Sequence, residues 1–255
     1  VTSLNGVFSY SESLLAFDEL QYFTSLTEIA DYEFDECYNL HRITLPKNIK
    51  RIGNSAFYGC SDLKEIEIPV GVTVIGEYAF ANCVDLTSIV IPEGVTTIGE
   101  SAFSYCDRLR SAHIAQSVES FGIDLNGYSE DGERQPFSNC YALEIFSGKF
   151  ASDDGRSLIV DDALVSFAPA NISSYTIPEG VKIIGSRSFP IPDTYDAPDD
   201  APDYEVKLQS VTIPASVERI DYAAINHNGM VKEYHFLGMT PPSVANYSLG
   251  STYLD

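Results

Sequence analysis

IEIPVGVTVIGEYAFANCVDLTS, residues 66–88, is the stretch whose reading decides the architecture. The segments beginning at Ile43 and Ile89 follow the same pattern, IxIPxxVxxIGxxAFxxCxxLxx, at a period of 23 residues. A unit this short cannot bury its apolar face alone, so successive copies must stack and share a core. The leucine position continues as Phe17, Leu40, Leu63, Leu86, Leu109, Leu143, Ile172, Leu208 and Val231, which predicts about nine coils. The spacing exceeds 23 at three places, where 11, 6 and 13 extra residues enter. Those insertions are expected near 125–135, 148–170 and 190–206, within a single domain spanning 1–255. Residues 1–16 are expected to form an N-terminal cap or partial coil, 17–236 the nine coils, and 237–255 a C-terminal cap or tail.

Each position in the unit has a physical role. Around Leu63, Ile66 and Ile68 the residues alternate with Glu65 and Glu67, the period of a half-buried strand. One short parallel strand per coil, forming a curved sheet, follows from this. Pro46, Pro69, Pro92, Pro178 and Pro214 lack the N–H that a ladder needs and stop the strand, with Ala115 in that place in the fifth coil. Gly53, Gly76, Gly99, Gly122 and Gly185 close the VxxIG segment, where a positive φ is the expected reason for glycine and Asp221 the polar substitute. The AF pairs that follow (Ala56–Phe57, Ala79–Phe80, Ala102–Phe103) fit short helical or irregular segments on the convex side.

Cys37, Cys60, Cys83 and Cys106 are 23 residues apart, Cys140 follows the first insertion, and Asn228 takes the slot in the eighth coil. Side chains stacked in register point in parallel and not at one another, so free buried thiols are expected in place of disulfides. With no CxxC and no histidine in the cysteine slot, no metal site is expected there.

The repeat resembles the BspA-like leucine-rich repeats of bacterial surface proteins, on LxxIxIPxxVxxIGxxAFxxC as it stands from 40 to 106. FDELQYFTSLTEI (17–29) looks like an opening coil, GKFASDDGRSLIVDDALVSFAPA (148–170) like a divergent repeat, and FLGMTPPS (236–243) like a C-terminal end of that family. The resemblance implies a leucine-rich-repeat solenoid on, or released from, the cell surface, with binding of a host extracellular or neighbouring-cell protein. It carries no catalytic motif and no fixed binding residue.

The chain has 15 Lys plus Arg against 37 Asp plus Glu, a net charge of −22, which disfavours nucleic acid and anionic lipid as partners. No apolar run has the roughly 18 residues a membrane helix needs. His41, His113, His227 and His235 are scattered, and no GxSxG occurs, so no nucleophile, base and orienter fall together; the chain reads as a non-enzyme without cofactor. The face to expect contacts on is the outward row of the strands, Arg42, Thr44, Glu65, Glu67, Ser88, Val90, Ser111 and His113, continuing as Ser174, Thr176, Ser210, Thr212, Glu233 and His235. Arg42 is expected beside Glu65. Asp193, Asp196, Asp199, Asp200 and Asp203 of the acidic insertion offer oxygen ligands to calcium, without the spacing of an EF-hand loop. Tyr38, Tyr58, Tyr78, Tyr105 and Tyr141 cluster near the AF and Cys positions, where rings could stack on a sugar. A protein-binding module is the leading reading, with a structural spacer and a carbohydrate-binding module as alternatives.

Overall fold

The computed structural model describes residues 2–123, 135–190, 207–225, 231–245 and 248–249. The chain winds as a solenoid of short parallel strands, and the one helical element among the described residues is a single 3-10 turn, Asp18–Tyr22. The coils carry strands at two positions where one was expected, although the segment around Glu65 and Glu67 is left without a strand. The first ladder contains the predicted strands: Ala16–Phe17 beside Arg42–Ile43, then Ser88–Ile91, Ser111–Ile114 and Ile145–Gly148 in order, then Ser174–Thr176, Ser210–Ile213 and Glu233–Phe236. The second runs through the VxxI segment as Glu28–Ile29, Arg51–Ile52, Val74–Ile75, Thr97–Ile98 and Ser120–Phe121. Two residues suffice there because Ile29, Ile52, Ile75 and Ile98 are fully buried one above the other while their neighbours face outward.

The proline rule holds in its physical detail. Ser88–Ile91 ends at Pro92 and Ser210–Ile213 at Pro214, and in both the next bond is a turn in which the amide three residues on returns to the proline carbonyl (Val95 to Pro92, 3.4 Å; Val217 to Pro214, 3.3 Å). Ala115, having an N–H, adds one more bond to the ladder, donating to the Ile91 carbonyl at 3.2 Å.

The glycine expectation is corrected. Gly53, Gly76, Gly99 and Gly122 do not have left-handed φ; they are glycine because the coil beneath leaves no room for a Cβ. A methyl on Gly76 would lie 2.6 Å from the Asn54 amide nitrogen, and one on Gly99 2.4 Å from that of Glu77. Asp221 likewise is absent from the left-handed residues; its carboxylate pairs with Arg219 at 2.7 Å. Left-handed φ falls two residues later, on Ser55, Tyr78 and Ser101 (50°, 53° and 51°), and again on Gly59, Asn82 and Tyr105 (67°, 58° and 58°). With two such residues in each coil, the AF segment turns tightly and cannot propagate a helix.

That turn points phenylalanine and cysteine inward. Phe8, Phe34, Phe57, Phe80, Phe103 and Phe137 form one continuous stack, with centroids 5.6, 5.2, 5.2, 5.4 and 5.2 Å apart and planes within 16° of parallel. Each cysteine beside it donates its thiol to the phenylalanine carbonyl one coil back: Cys37 to Phe8, Cys60 to Phe34, Cys83 to Phe57, Cys106 to Phe80 and Cys140 to Phe103, at 2.9 to 3.3 Å. All five are free and fully buried. Burial pushes the thiols of Cys37, Cys60, Cys83 and Cys106 up, so they stay protonated donors. Asn228 lies outside the described residues.

The stack places the N-terminus more exactly than periodicity does. Phe17 pairs with Ile43, so it fills a strand position and not the leucine slot, and Phe8 fills the ring slot of a partial coil. The 3-10 turn Asp18–Tyr22 takes up the three extra residues between them and the next coil.

The second ladder breaks after Phe121 and the first after Gly148. Ser157–Val160 and Ala163–Phe167 form an antiparallel hairpin, which accounts for the divergent segment at 148–170, and the second strand restarts the second ladder with Ile183–Ile184, Arg219–Ile220 and Ser243–Val244. Ala163–Phe167 is buried on both faces. Ala163 and Val165 belong to the core of the first stack, and Leu164 and Phe167 to a second core that reaches Val231.

Candidate functional site

The outward row of the first ladder is the surface on which partner contacts are expected from the sequence. Strand alternation delivers it directly: in Ser88–Ile91 the residues run exposed, buried, exposed, buried, and Ser88 and Val90 lie on the open side. Register then lines up Ser88 with Ser111 and Val90 with His113. The next strand adds Ile145 beside Ser111 and Ser147 beside His113, two residues the sequence reading left out although they stand two and four places after Leu143. His113 Nδ1 and Ser147 Oγ are 3.0 Å apart. Val90 and Ile145 are about half exposed, so this part of the face combines aliphatic and hydroxyl groups without a net charge.

Arg42, Thr44, Glu65 and Glu67 are exposed on the same side but organised differently. Arg42 turns toward the 3-10 element instead of toward Glu65: its Nε lies 2.7 Å from the Asp18 carboxylate, and the Thr44 hydroxyl donates to the other Asp18 oxygen at 3.0 Å. Glu65 and Glu67 alternate outward around half-buried Ile66 and buried Ile68, in a segment without ladder pairing. The row is therefore continuous only from Ser88 to Ser147. Ser174, Thr176, Ser210, Thr212, Glu233 and His235 belong to a separate three-stranded sheet.

Of the tyrosines near the AF and Cys slots, Tyr38 is exposed while Tyr58, Tyr78, Tyr105 and Tyr141 are half-buried along the coil edge. The acidic insertion with Asp193, Asp196, Asp199, Asp200 and Asp203 lies outside the described residues, and among the described residues no three His, Cys, Asp or Glu side chains converge as a metal cage. No helix of the described residues is long and apolar enough to cross a membrane.

A family model described as the BspA type leucine rich repeat region matches residues 6–144 in six copies. The chain belongs to the BspA-type leucine-rich repeat family. The match begins at the partial coil that carries Phe8 and stops immediately before Ile145–Gly148, the last strand of the three-stranded ladder that starts at Ser88. Solved structures share the fold of this BspA-type chain. A leucine rich cell surface protein of Faecalibacterium prausnitzii is 24% identical over 88% of this chain and 64% of its own, with a TM-score of 0.52. The pneumococcal vaccine antigen PcpA is 19% identical over 84% of this chain and 48% of its own, with a TM-score of 0.57. A leucine-rich repeat protein of Eubacterium ventriosum is 18% identical over 84% of this chain and 64% of its own, with a TM-score of 0.50. The chain thus spans less than two thirds of the length of each. No curated protein matches it.

Proposed function

We propose that this chain is a non-catalytic, extracellular protein-binding module, displayed on the cell surface or secreted, whose partner sits across the outward face of the first ladder. The observation that carries the reading is the in-register row from Ser88 and Val90 through Ser111 and His113 to Ile145 and Ser147, an open, mixed polar and aliphatic surface set on a rigid, fully buried support. Sheet faces of solenoids are surfaces such proteins use for partners, because a stack of short strands offers a wide area at little entropic cost. The partner class that suits the reading is a host extracellular protein or a protein of a neighbouring cell.

The test is capture of extracellular-matrix proteins by the full chain, repeated with Val90→Ser, His113→Ala and Ile145→Ser combined and separately with Arg42, Glu65 and Glu67 changed to alanine. Loss of central aliphatic contacts is expected to weaken capture by about tenfold or more. Retained capture by both variants would remove this face from the reading.

A further inference from the structure

The first two coils hold a second surface, distinct from the sheet face. Residues 1–41 contain eight carboxylates and neither lysine nor arginine. Within them Glu33 and Asp35 are buried, at 1% and 6% exposure, and among the described residues neither they nor Glu36 has an ion-pair partner. Glu33 accepts a hydrogen bond from the Gly6 amide at 2.8 Å. Burial pushes both carboxyl groups above the usual carboxylate range. Buried carboxylates without a counter-ion leave a local negative potential that a cation would relieve.

Three tyrosines of these coils are largely exposed: Tyr10 at 64%, Tyr32 at 56% and Tyr38 at 43%. Tyr10 and Asp35 are joined through the backbone, amide to carbonyl at 2.7 Å, and the Tyr38 hydroxyl is held by Glu36 Oε2. Tyr32 precedes Glu33 directly, and its amide donates to the Asn54 carbonyl at 2.9 Å, which fixes the backbone beside the buried acid. Ring faces beside carboxylates attract guanidinium and ammonium groups through the ring quadrupole and the negative charge together.

We propose that Tyr10, Tyr32 and Tyr38, with Asp35 and Glu36 among them, form a docking site for an Arg- and Lys-rich segment of a partner protein. The rings take the cationic groups and their alkyl stems, and the carboxylates meet the charge. Commitment to a basic peptide rests on the absence of lysine and arginine from the first 41 residues and on the buried acids without an ion-pair partner.

The experiment titrates fluorescently labelled nona-arginine with the full chain by anisotropy. Substitutions can copy residues that already occupy the same slots in later coils: Tyr10→Asn follows Asn82, Tyr32→Ser follows Ser55, and Tyr38→Ser follows Ser61. The triple variant should bind at least about tenfold more weakly. Phenylalanine at all three positions should keep binding within about twofold, because the ring face is the contact. Glu65→Gln with Glu67→Gln, which removes two charges from the sheet face, should also leave it within about twofold, so that this site and the sheet-face reading stand or fall separately. The proposal is overturned by an absence of saturable binding, by an equal loss in the phenylalanine variant, or by a larger loss in the Glu65 and Glu67 variant than in the tyrosine one. A neutral oligosaccharide that displaces the peptide from the rings would also overturn it, assigning them to sugar. Should the triple variant melt at a lower temperature than the parent, Tyr38→Ser alone carries the comparison, with a loss of about threefold expected.

Discussion

The stack up to residue 121 and the stack from residue 163 onward are built from the same slots and are packed differently. In the first, the ring slot is always phenylalanine, and Phe57, Phe80 and Phe103 lie within 5° of parallel. In the second, Phe189 fills the slot and lies at 27° to Phe167, a residue of the hairpin strand Ala163–Phe167, and the slot continues as Ile225. A Cβ on Gly99 would meet backbone nitrogen at 2.4 Å, whereas one on Gly185 would meet the Leu164 carbonyl at 3.0 Å, and one coil later the slot holds Asp221. No cysteine follows Cys140. Uniform spacing makes each slot hold its neighbour to the same residue, because identical side chains stack best on identical ones in a close-packed core. Once the insertions and the hairpin shift the register, that mutual constraint is released, and each slot accepts whatever fills its local volume.

The largest expected effect comes from the ring stack. Phe80→Ala removes a fully buried ring that two neighbours stack on, and should cost about 4 kcal/mol in denaturant unfolding, against about 3 kcal/mol for Ile225→Ala in the looser stack. Equal costs would mean that register does not tighten the first stack. The glycines sharpen the same contrast. Gly99→Ala should cost about 3 kcal/mol because the obstacle is backbone that cannot swing aside, while Gly185→Ala should cost about 1 kcal/mol. A comparable loss at both sites would show that the coils are equally close throughout.

Much of the first stack was legible in the sequence because its information is repeated: the alternation around Ile66 and Ile68, the proline stops and the cysteine slot each recur at 23 residues. Other features left no signal. The second strand pairs only two residues per coil, such as Val74–Ile75, too few for alternation to register. Left-handed φ falls on Ser55, Tyr78 and Ser101, residue types that do not advertise it, while the glycines that do advertise it serve close approach instead. Phe17 satisfies the apolar pattern in two registers, and only pairing with Ile43 chooses between them. The candidate face was read in part. Ser88, Val90, Ser111 and His113 come together as alternation requires, but the partner of Arg42 is Asp18, which depends on three residues extra to the repeat. Asp35 and Tyr10 meet across coils at a place where the pattern is imperfect, and no local motif marks them.

Asp107 tests the boundary between the two regimes. It follows Cys106 in the slot that holds Tyr38, Ser61, Val84 and Tyr141 in other coils, and its carbonyl accepts the Ala142 amide at 3.3 Å across the first insertion. Its Oδ1 is buried without a hydrogen-bond partner, and desolvation raises its pKa from 3.8 to about 6. The folded state therefore holds the proton more tightly than the unfolded chain does. The stabilising contribution of that proton is complete below pH 3.8 and is lost as the pH rises through about 6. Asp107→Asn, neutral at every pH, should flatten this part of the pH dependence and stabilise the protein at pH 7 by about 2 kcal/mol relative to the parent, with little difference at pH 4. Paired urea titrations at the two pH values measure it. A uniform gain at both would trace the effect to packing instead of charge, and the carboxylate would then be satisfied by an arrangement of the junction other than the one seen. Its effect is smaller than those of Phe80→Ala and Gly99→Ala, and it alone asks whether the last regular coil already bears the cost of the break in register that follows it.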